Sequence, residues 1–192
     1  MMKKQPQVTE RTKANLCKAF WKLYRTRPID KITVREITEI AGYNRGTFYL
    51  YYRDVNDMFS QIEDSLLNIV EDLIDDMLAQ EGRIDIASNM GTILTMAKSH
   101  SAYMSVLLSD HGDPTFVTRF KELLWPLVDR YLGITQSVEM TRDERDLLKQ
   151  FYLAGLIAVV SAWLSSGNRM PLDRFIAFAL ATMFPSQSEN IR

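Results

Sequence analysis

Nonpolar residues recur every three or four positions along almost the whole 192-residue chain, and strictly alternating stretches are nearly absent. A period of three to four residues is that of one helix face, whereas alternation is that of a half-buried strand. The pattern therefore predicts an all-α protein of about nine helices, long enough to form one domain or two small ones.

Capping residues and prolines indicate where the helices begin and end. The first helix is expected over about residues 9–26, before Pro28, because the residue preceding a proline disfavours helical geometry. Asp54 and Asp57 are predicted to cap a long fourth helix of ~40 Å. Pro126 is expected to kink or divide its helix. The later helices are predicted over about residues 86–98, 101–109, 115–132 and 141–166, and from about residue 171 onward.

Residues 33–52, TVREITEIAGYNRGTFYLYY, form the most informative segment. Thr33 and Glu36 have the spacing of a capping box that begins a helix. Gly42 stands where a helix ends in positive φ, and Asn44 is placed to cap a second helix. Two short helices joined by a tight glycine-containing turn predict a helix-turn-helix motif at about residues 32–51.

The net charge of −1 hides a strong asymmetry along the chain. Residues 1–53 hold 12 lysines and arginines against four acidic residues, a net charge of +8, whereas residues 54–192 have a net charge of −9. A basic region that coincides with a helix-turn-helix is the expected footprint of a DNA-binding surface. The alternative is a basic surface on the first helix that is merely solvated.

Residues 9–62 resemble the DNA-binding domain of the TetR family of transcriptional regulators, through the nonpolar face of the first helix, the string ITVREITEIAGYNRGTFYLYYRD and Phe59. The resemblance implies a DNA-binding domain over residues 9–69 and a regulatory and dimerisation domain over residues 70–192. It also implies a homodimer whose last two helices form a four-helix interface, and no catalytic activity. In such a protein a small molecule binds in the C-terminal domain, moves the fourth helix and releases the DNA. The string LAGLIAVVSAWLSSG is similar to that of small regulators of dihydroxyacetone kinase genes.

One position departs from the family pattern. The family often has a phosphate-contacting lysine near the start of the fourth helix, where this chain has Asp54, Val55 and Asn56. Arg53 is the candidate substitute, and the alternative is that backbone N–H groups of the fourth helix bind the phosphate.

The second helix of the motif carries the candidate DNA contacts. Arg45 is the best base-reading candidate, because arginine can bond guanine O6 and N7 together; the alternative is a phosphate contact alone. Tyr49 and Tyr52 are expected to contact phosphates or sugars, although Tyr49 could instead be a packing residue. Phe48 and Tyr51 are expected in the core. The predicted DNA-contacting residues are Thr33, Arg35, Tyr43, Asn44, Arg45, Gly46, Thr47, Tyr49, Tyr52 and Arg53.

The C-terminal half carries two further candidate sites. Methionine and aromatic residues at helical spacing suit either a core or a pocket for nonpolar ligands. The candidate ligand-binding residues are Met90, Ile93, Met96, Tyr103, Phe116, Phe120, Trp125 and Phe151. Small residues in the eighth predicted helix allow close approach of another helix, either from a second copy or from the ninth helix of the same chain. The candidate dimer-interface residues are Ala154, Gly155, Ala158, Ala162, Phe175 and Ala179.

Other classes of protein find little support. Cys17 is the only cysteine, and His100 and His111 lack metal-ligand spacing, so neither a metal site nor a cofactor is predicted. No catalytic constellation is present, and no nonpolar run is expected to approach membrane-spanning length. We expect a cytoplasmic, operator-bound repressor that a small nonpolar or aromatic ligand releases. The alternative is a DNA-associated interaction protein whose C-terminal domain binds another protein.

Overall fold

The structure is a computed structural model that describes residues 6–79, 86–109, 112–132, 140–166 and 169–183. These residues contain no strand, which confirms the all-α prediction. They form eight α-helices: α1 (Pro6–Tyr24), α2 (Val34–Ala41), α3 (Arg45–Tyr49), α4 (Val55–Ala79), α5 (Ile86–Leu107), α6 (Pro114–Leu132), α7 (Arg142–Ser165) and α8 (Leu172–Met183). A short 3₁₀ helix, Ile29–Lys31, lies between α1 and α2.

The chain divides into two compact units, residues 1–65 and residues 66–192. We call them the N-terminal unit and the C-terminal unit. The division falls inside α4, so one helix of 25 residues contributes to both units.

The N-terminal unit is built on large nonpolar side chains from α1 to α4. Phe20, Ile37, Phe48 and Met58 are fully buried, one from each of these four helices. An aromatic cluster extends this core, since the rings of Phe20 and Phe59 lie 5.6 Å apart. Burial on this scale holds short helices such as α2 and α3 in place, because helices under about 12 residues are marginal alone.

The C-terminal unit packs α5 to α8 around the second half of α4. A central nonpolar cluster is formed by Met77 of α4, Val128 and Tyr131 of α6 and Leu153 of α7. Polar groups fix the helices at their ends. The Ser161 hydroxyl donates to the Leu108 carbonyl at 3.0 Å, the Trp163 indole donates to the Met170 carbonyl at 2.8 Å, and Arg130 bonds the Leu78 carbonyl.

The structure corrects two predicted features of these helices. The expected break near residue 100 is wrong, because α5 runs unbroken from Ile86 to Leu107. Ser99 bonds the carbonyl of Thr95, four residues earlier, at 3.0 Å, so this polar side chain is satisfied by the helix itself. Pro126 does not divide α6, since buried residues such as Phe120 and Val128 hold the helix on both sides of it. The sequence also predicts a break over residues 110–114, of which Asp110 and His111 lie outside the described residues, while Gly112 and Asp113 are outside any helix and α6 begins at Pro114.

Candidate nucleic-acid interface and nonpolar cavity

The two short helices are fixed by the caps that the sequence predicts. The Thr33 hydroxyl accepts from the Glu36 N–H at 3.3 Å, and the Glu36 carboxylate accepts from the Thr33 N–H at 3.0 Å. Gly42 ends α2 with φ of 74°, and the Asn44 side chain accepts from the Thr47 N–H at 2.8 Å. All three predicted devices are confirmed, so the motif is set by local chemistry.

Glu36 has a second partner besides its cap. The Arg27 guanidinium donates to the Glu36 carboxylate at 2.7 Å. Hydrogen bonds from Thr33 first and Arg27 second lower the pKa of Glu36 to about 2. The carboxylate is therefore ionised at neutral pH and ties the chain before the 3₁₀ helix to the start of α2.

One side of α3 is open to solvent. Phe48 is fully buried, whereas Arg45, Gly46 and Tyr49 are exposed, with 57% of Tyr49 accessible. Leu50 follows α3 directly in helical geometry and is 61% exposed. At about 100° per residue, these four positions occupy one continuous side of the helix. We call Arg45, Gly46, Tyr49 and Leu50 the exposed arc.

The other predicted DNA-contacting residues differ in exposure and in their bonding partners. Arg35 is exposed and pairs with Glu39 at 2.7 Å. Arg53 is also exposed, and its guanidinium lies 3.2 Å from the Asp57 carboxylate. Both cations therefore stand at the surface of the N-terminal unit.

Three predicted contacts have structural tasks as well. Asn44 caps α3 and also bonds the half-buried Thr47 at its hydroxyl. The half-buried Tyr43 accepts a hydrogen bond from Asn15 of α1 at 3.1 Å, which lowers the pKa of Tyr43. The bond between Asn15 and Tyr43 ties the turn between α2 and α3 to α1, whereas the bonds between Asn44 and Thr47 stay within the start of α3.

The prediction that Tyr52 projects from α3, the second helix of the motif, toward DNA is wrong. The helix α3 ends at Tyr49, three residues earlier, so its periodicity does not extend to Tyr52. Tyr52 is only 6% exposed and packs on Phe48, with ring centroids 5.3 Å apart. Burial raises the pKa of Tyr52 to about 12. Its ring belongs to the core and is not free to lie against DNA.

The C-terminal unit contains a nonpolar cavity of about 280 Å³. Helices α4 to α8 all contribute to its wall. His100 and Ser101 of α5 stand side by side in this lining. Its lining residues are Leu66, Ile69, Val70, Leu73, Ile74, Met77, Ile93, Met96, Ala97, His100, Ser101, Met104, Phe120, Leu124, Leu127, Leu156, Val160, Trp163, Leu164, Leu172, Phe175 and Ile176.

Only some of the predicted ligand-binding residues line the cavity. Ile93, Met96 and Phe120 line it, whereas Met90, Tyr103, Phe116 and Trp125 are not in the described wall. The prediction that Phe151 binds the ligand is wrong, because this side chain is 71% exposed on α7. The α4 residues of the wall were missed as pocket residues, although Leu66, Ile69, Leu73 and Met77 recur in the sequence at the spacings of three and four that mark one nonpolar helix face.

Helix α7 presents a nonpolar stripe to solvent. Leu147, Phe151, Ala154, Ala158 and Ala162 are all exposed, at spacings of four, three, four and four residues. The sequence left open that the last helix of the same chain covers these alanines. In the structure that helix, α8, leaves them exposed. We call these five residues the α7 stripe. Three of them were predicted for a dimer interface, and the predicted Gly155 is half-buried beside them.

Two predicted interface residues lie elsewhere. Phe175 is 7% exposed and stacks on Trp163, with ring centroids 4.9 Å apart, in the wall of the cavity. Ala179 is 8% exposed. Both are therefore buried within one chain. Phe178 of α8 is a large nonpolar side chain that is 54% exposed, and the sequence analysis did not single it out.

The composition of α7 corrects another expectation. The helix has 24 residues and a stretch of mean hydropathy 1.6, so length and composition alone would let it cross a membrane. The expectation that no nonpolar run approaches this length is wrong for α7. Only 11% of the stretch is buried within the chain, so much of the nonpolar surface of this helix is without cover in a single copy.

Known proteins resemble both parts of the chain. Residues 85–183 match a TetR family model described as a transcriptional regulator C-terminal region. The uncharacterized HTH-type transcriptional regulator YxbF of Bacillus subtilis is 28% identical over 173 residues. That alignment covers 81% of this chain and 40% of the relative, so the chain spans less than half the length of YxbF.

Solved structures share the fold over nearly the whole chain. A TetR transcriptional regulator from Streptococcus agalactiae is 25% identical with a TM-score of 0.60, over 92% of this chain and 96% of its own. The fatty acid degradation regulator FadR from Bacillus halodurans is 18% identical with a TM-score of 0.58, over 100% and 99%. The dihydroxyacetone kinase operon activator DhaS is 17% identical with a TM-score of 0.53, over 90% and 96%.

The capped motif, the exposed arc and these likenesses define a helix-turn-helix DNA-binding protein. Since the matched region covers half of the sequence, the chain belongs to the TetR family of transcriptional regulators.

Proposed function

We propose that this regulator binds a palindromic operator as a homodimer and represses transcription until a small nonpolar ligand enters the cavity of the C-terminal unit. The observation that carries the proposal is the exposed arc of α3, displayed on a chain segment of net charge +8. A dimer would place two such helices in successive major grooves, ~34–36 Å apart.

Arg45 is the proposed base-reading residue of this surface. Its side chain is exposed at the first position of α3, and a guanidinium can bond guanine at two atoms in the major groove. Thr33, Arg35, Tyr43 and Arg53 are proposed to contact phosphates, which fix the register of the protein on DNA without reading the sequence.

The α7 stripe supports the homodimer. A stripe of leucine, phenylalanine and three alanines exposed to water is unfavourable, and a symmetric partner would bury the same stripe on both copies. The alanines would let the two helices approach closely. Phe178 of α8 extends the exposed nonpolar surface of the last two helices.

The cavity supports a small-molecule effector. It is nearly all nonpolar, with His100 and Ser101 adjacent at one place in its wall. A ligand that fits has a nonpolar body and one hydrogen-bonding end. The likeness to a fatty acid degradation regulator supports an acyl chain as that body. The cavity also favours a metabolite over a protein partner for the C-terminal unit, because a protein partner would need no internal space.

The proposed location is the bacterial cytoplasm, with the protein on the nucleoid when its operator is bound. This location follows from the proposed function, since an operator is accessible only there.

The test of the DNA proposal is operator selection from genomic fragments at ~0.15 M salt, an ionic strength at which phosphate contacts are already partly screened. The wild-type chain is expected to recover one palindrome. Arg45→Ala is expected to relax one base position in each half-site at about 1–3 kcal/mol. Arg25→Ala is the matched control, because Arg25 is an exposed arginine outside α3. Equal weakening on all sequences by Arg45→Ala would make Arg45 a phosphate contact, and diffuse binding by the wild type would overturn the proposal.

A further inference from the structure

We propose that Leu50 reads a thymine in each operator half-site through the 5-methyl group of the base. The inference rests on the proposed function, since it takes α3 as the helix that enters the major groove. It adds a second specificity-determining residue to Arg45, one that acts by nonpolar contact and not by hydrogen bonding.

The position of Leu50 is the first argument. Its side chain is 61% exposed, more than any other large nonpolar side chain that the structure describes in the N-terminal unit. Its backbone, with φ of −71° and ψ of −19°, continues the helical path of α3. At 100° per residue Leu50 lies about 40° from Gly46 and about 140° from Arg45 around the helix axis, so it forms one edge of the exposed arc.

Gly46 keeps this side chain accessible. Residues four apart are neighbours on a helix surface, so position 46 lies directly beside position 50. With no side chain there, position 46 does not cover Leu50. A Cβ added at Gly46 would meet only the Asn44 side chain, at 3.2 Å, so the space over this part of the helix is otherwise open.

The chemistry of the leucine side chain indicates which group of the DNA it contacts. Leucine has no hydrogen-bonding group, so it cannot hold a phosphate or a polar base edge. In the major groove thymine alone among the bases presents a methyl group, and nonpolar side chains recognise it by contact. A single exposed leucine is common on protein surfaces, and exposure by itself is no argument. The argument is its place beside Gly46 at the edge of the exposed arc, in a chain segment, residues 1–53, of net charge +8.

Two other exposed nonpolar residues of the unit provide the comparison. Val8 and Ile40 are 50% and 44% exposed, but they belong to α1 and α2 and not to α3. Ile40→Ala is therefore the matched control for Leu50→Ala, since both remove an exposed branched side chain from the same unit.

The experiment compares thymine with uracil, which differ only by the 5-methyl group. Each thymine of one half-site in the selected operator is replaced singly by uracil, and binding of wild type, Leu50→Ala, Leu50→Met and Ile40→Ala is titrated. At one position wild type is expected to bind the uracil operator about fourfold more weakly, the size expected for one methyl group removed from nonpolar contact. Leu50→Ala is expected to bind both operators alike, whereas Leu50→Met and Ile40→Ala keep the preference for thymine.

The outcomes separate this inference from the proposed function. A wild-type protein that selects its palindrome but shows the same thymine-to-uracil ratios as Leu50→Ala at every position overturns the inference alone. A wild-type protein that selects no operator overturns the proposed function and the inference together. Loss of the thymine preference in Ile40→Ala as well would also overturn it, because the effect would then not belong to Leu50.

Discussion

At the scale of single residues, Glu36 links two segments of the DNA-binding unit. It completes the cap of α2 with Thr33 and also holds Arg27, which follows α1. A charged group that joins two backbone segments stabilises the fold only in one protonation state. The orientation of α2, and hence of α3, therefore depends in part on the ionisation of one exposed carboxylate.

The pH dependence of this contribution follows from its sign. The pKa of Glu36 is lowered from 4.5 to about 2 in the folded chain, so its stabilising effect is complete above pH 4.5 and disappears as the pH falls to about 2. The urea midpoint of wild type should therefore exceed that of Glu36→Gln at neutral pH, and the difference should vanish toward pH 2. Circular dichroism at a series of pH values measures it. A difference that persists unchanged at pH 2 would contradict the assignment.

At the scale of elements, α7 has two faces with different surroundings. Leu153 and Ile157 are buried within the chain, whereas the α7 stripe faces solvent. A helix with nonpolar residues on both faces is stable in water only when both are covered. One face is covered by the fold of the C-terminal unit, and the proposed second copy covers the other.

Ala158→Glu tests the α7 stripe as a dimer interface. The side chain is exposed in one copy, so a glutamate there leaves the fold intact but places two like charges at the centre of a symmetric contact. We expect the variant to sediment as a monomer. Ala102→Glu, at an exposed alanine of α5, is the control and should remain a dimer. The larger Gly155→Leu change should also split the dimer, and an unchanged mass for both α7 variants would exclude this interface.

Which features the sequence could predict depends on how local their causes are. The caps at Thr33 and Asn44 and the turn at Gly42 depend on residues within three positions, and all were predicted. The placement of Phe151 and Phe175 was predicted wrongly, because both the inside and the outside of α7 and α8 are nonpolar. Periodicity identifies a nonpolar face but not whether another helix of the chain or a second copy covers it. The break predicted in α5 was wrong because polar side chains can bond their own helix.

At the scale of the whole molecule, charge and fold divide the chain at nearby but different positions. The basic segment ends at about residue 53, and the N-terminal unit ends at residue 65, in the first half of α4. The family was recognisable from one string in the N-terminal unit. The cavity was not, because its wall is assembled from five helices that are distant in sequence.

Ala97→Phe tests whether the cavity controls DNA binding. Ala97 lines the cavity, so a phenylalanine there would occupy space that the proposed ligand needs. We expect the variant to keep its operator affinity and to lose release by medium-chain monocarboxylic acids, measured by fluorescence anisotropy of labelled operator. Ala102→Phe, outside the cavity wall, is the control and should respond as wild type does. If the acids release the operator from both variants equally, the ligand binds outside this cavity.

The position of Trp163 has a consequence for spectroscopy. Its indole forms part of the cavity wall and lies stacked on Phe175, while its N–H is held by the Met170 carbonyl. A molecule that enters the cavity replaces empty space or water beside a fixed chromophore, so the emission of Trp163 should change on filling. Trp21, 3% exposed in the core of the N-terminal unit, is not among the residues of the cavity wall. With Trp125 changed to phenylalanine, the protein would carry one native optical probe in each unit and need no attached dye to reveal which unit a compound reaches.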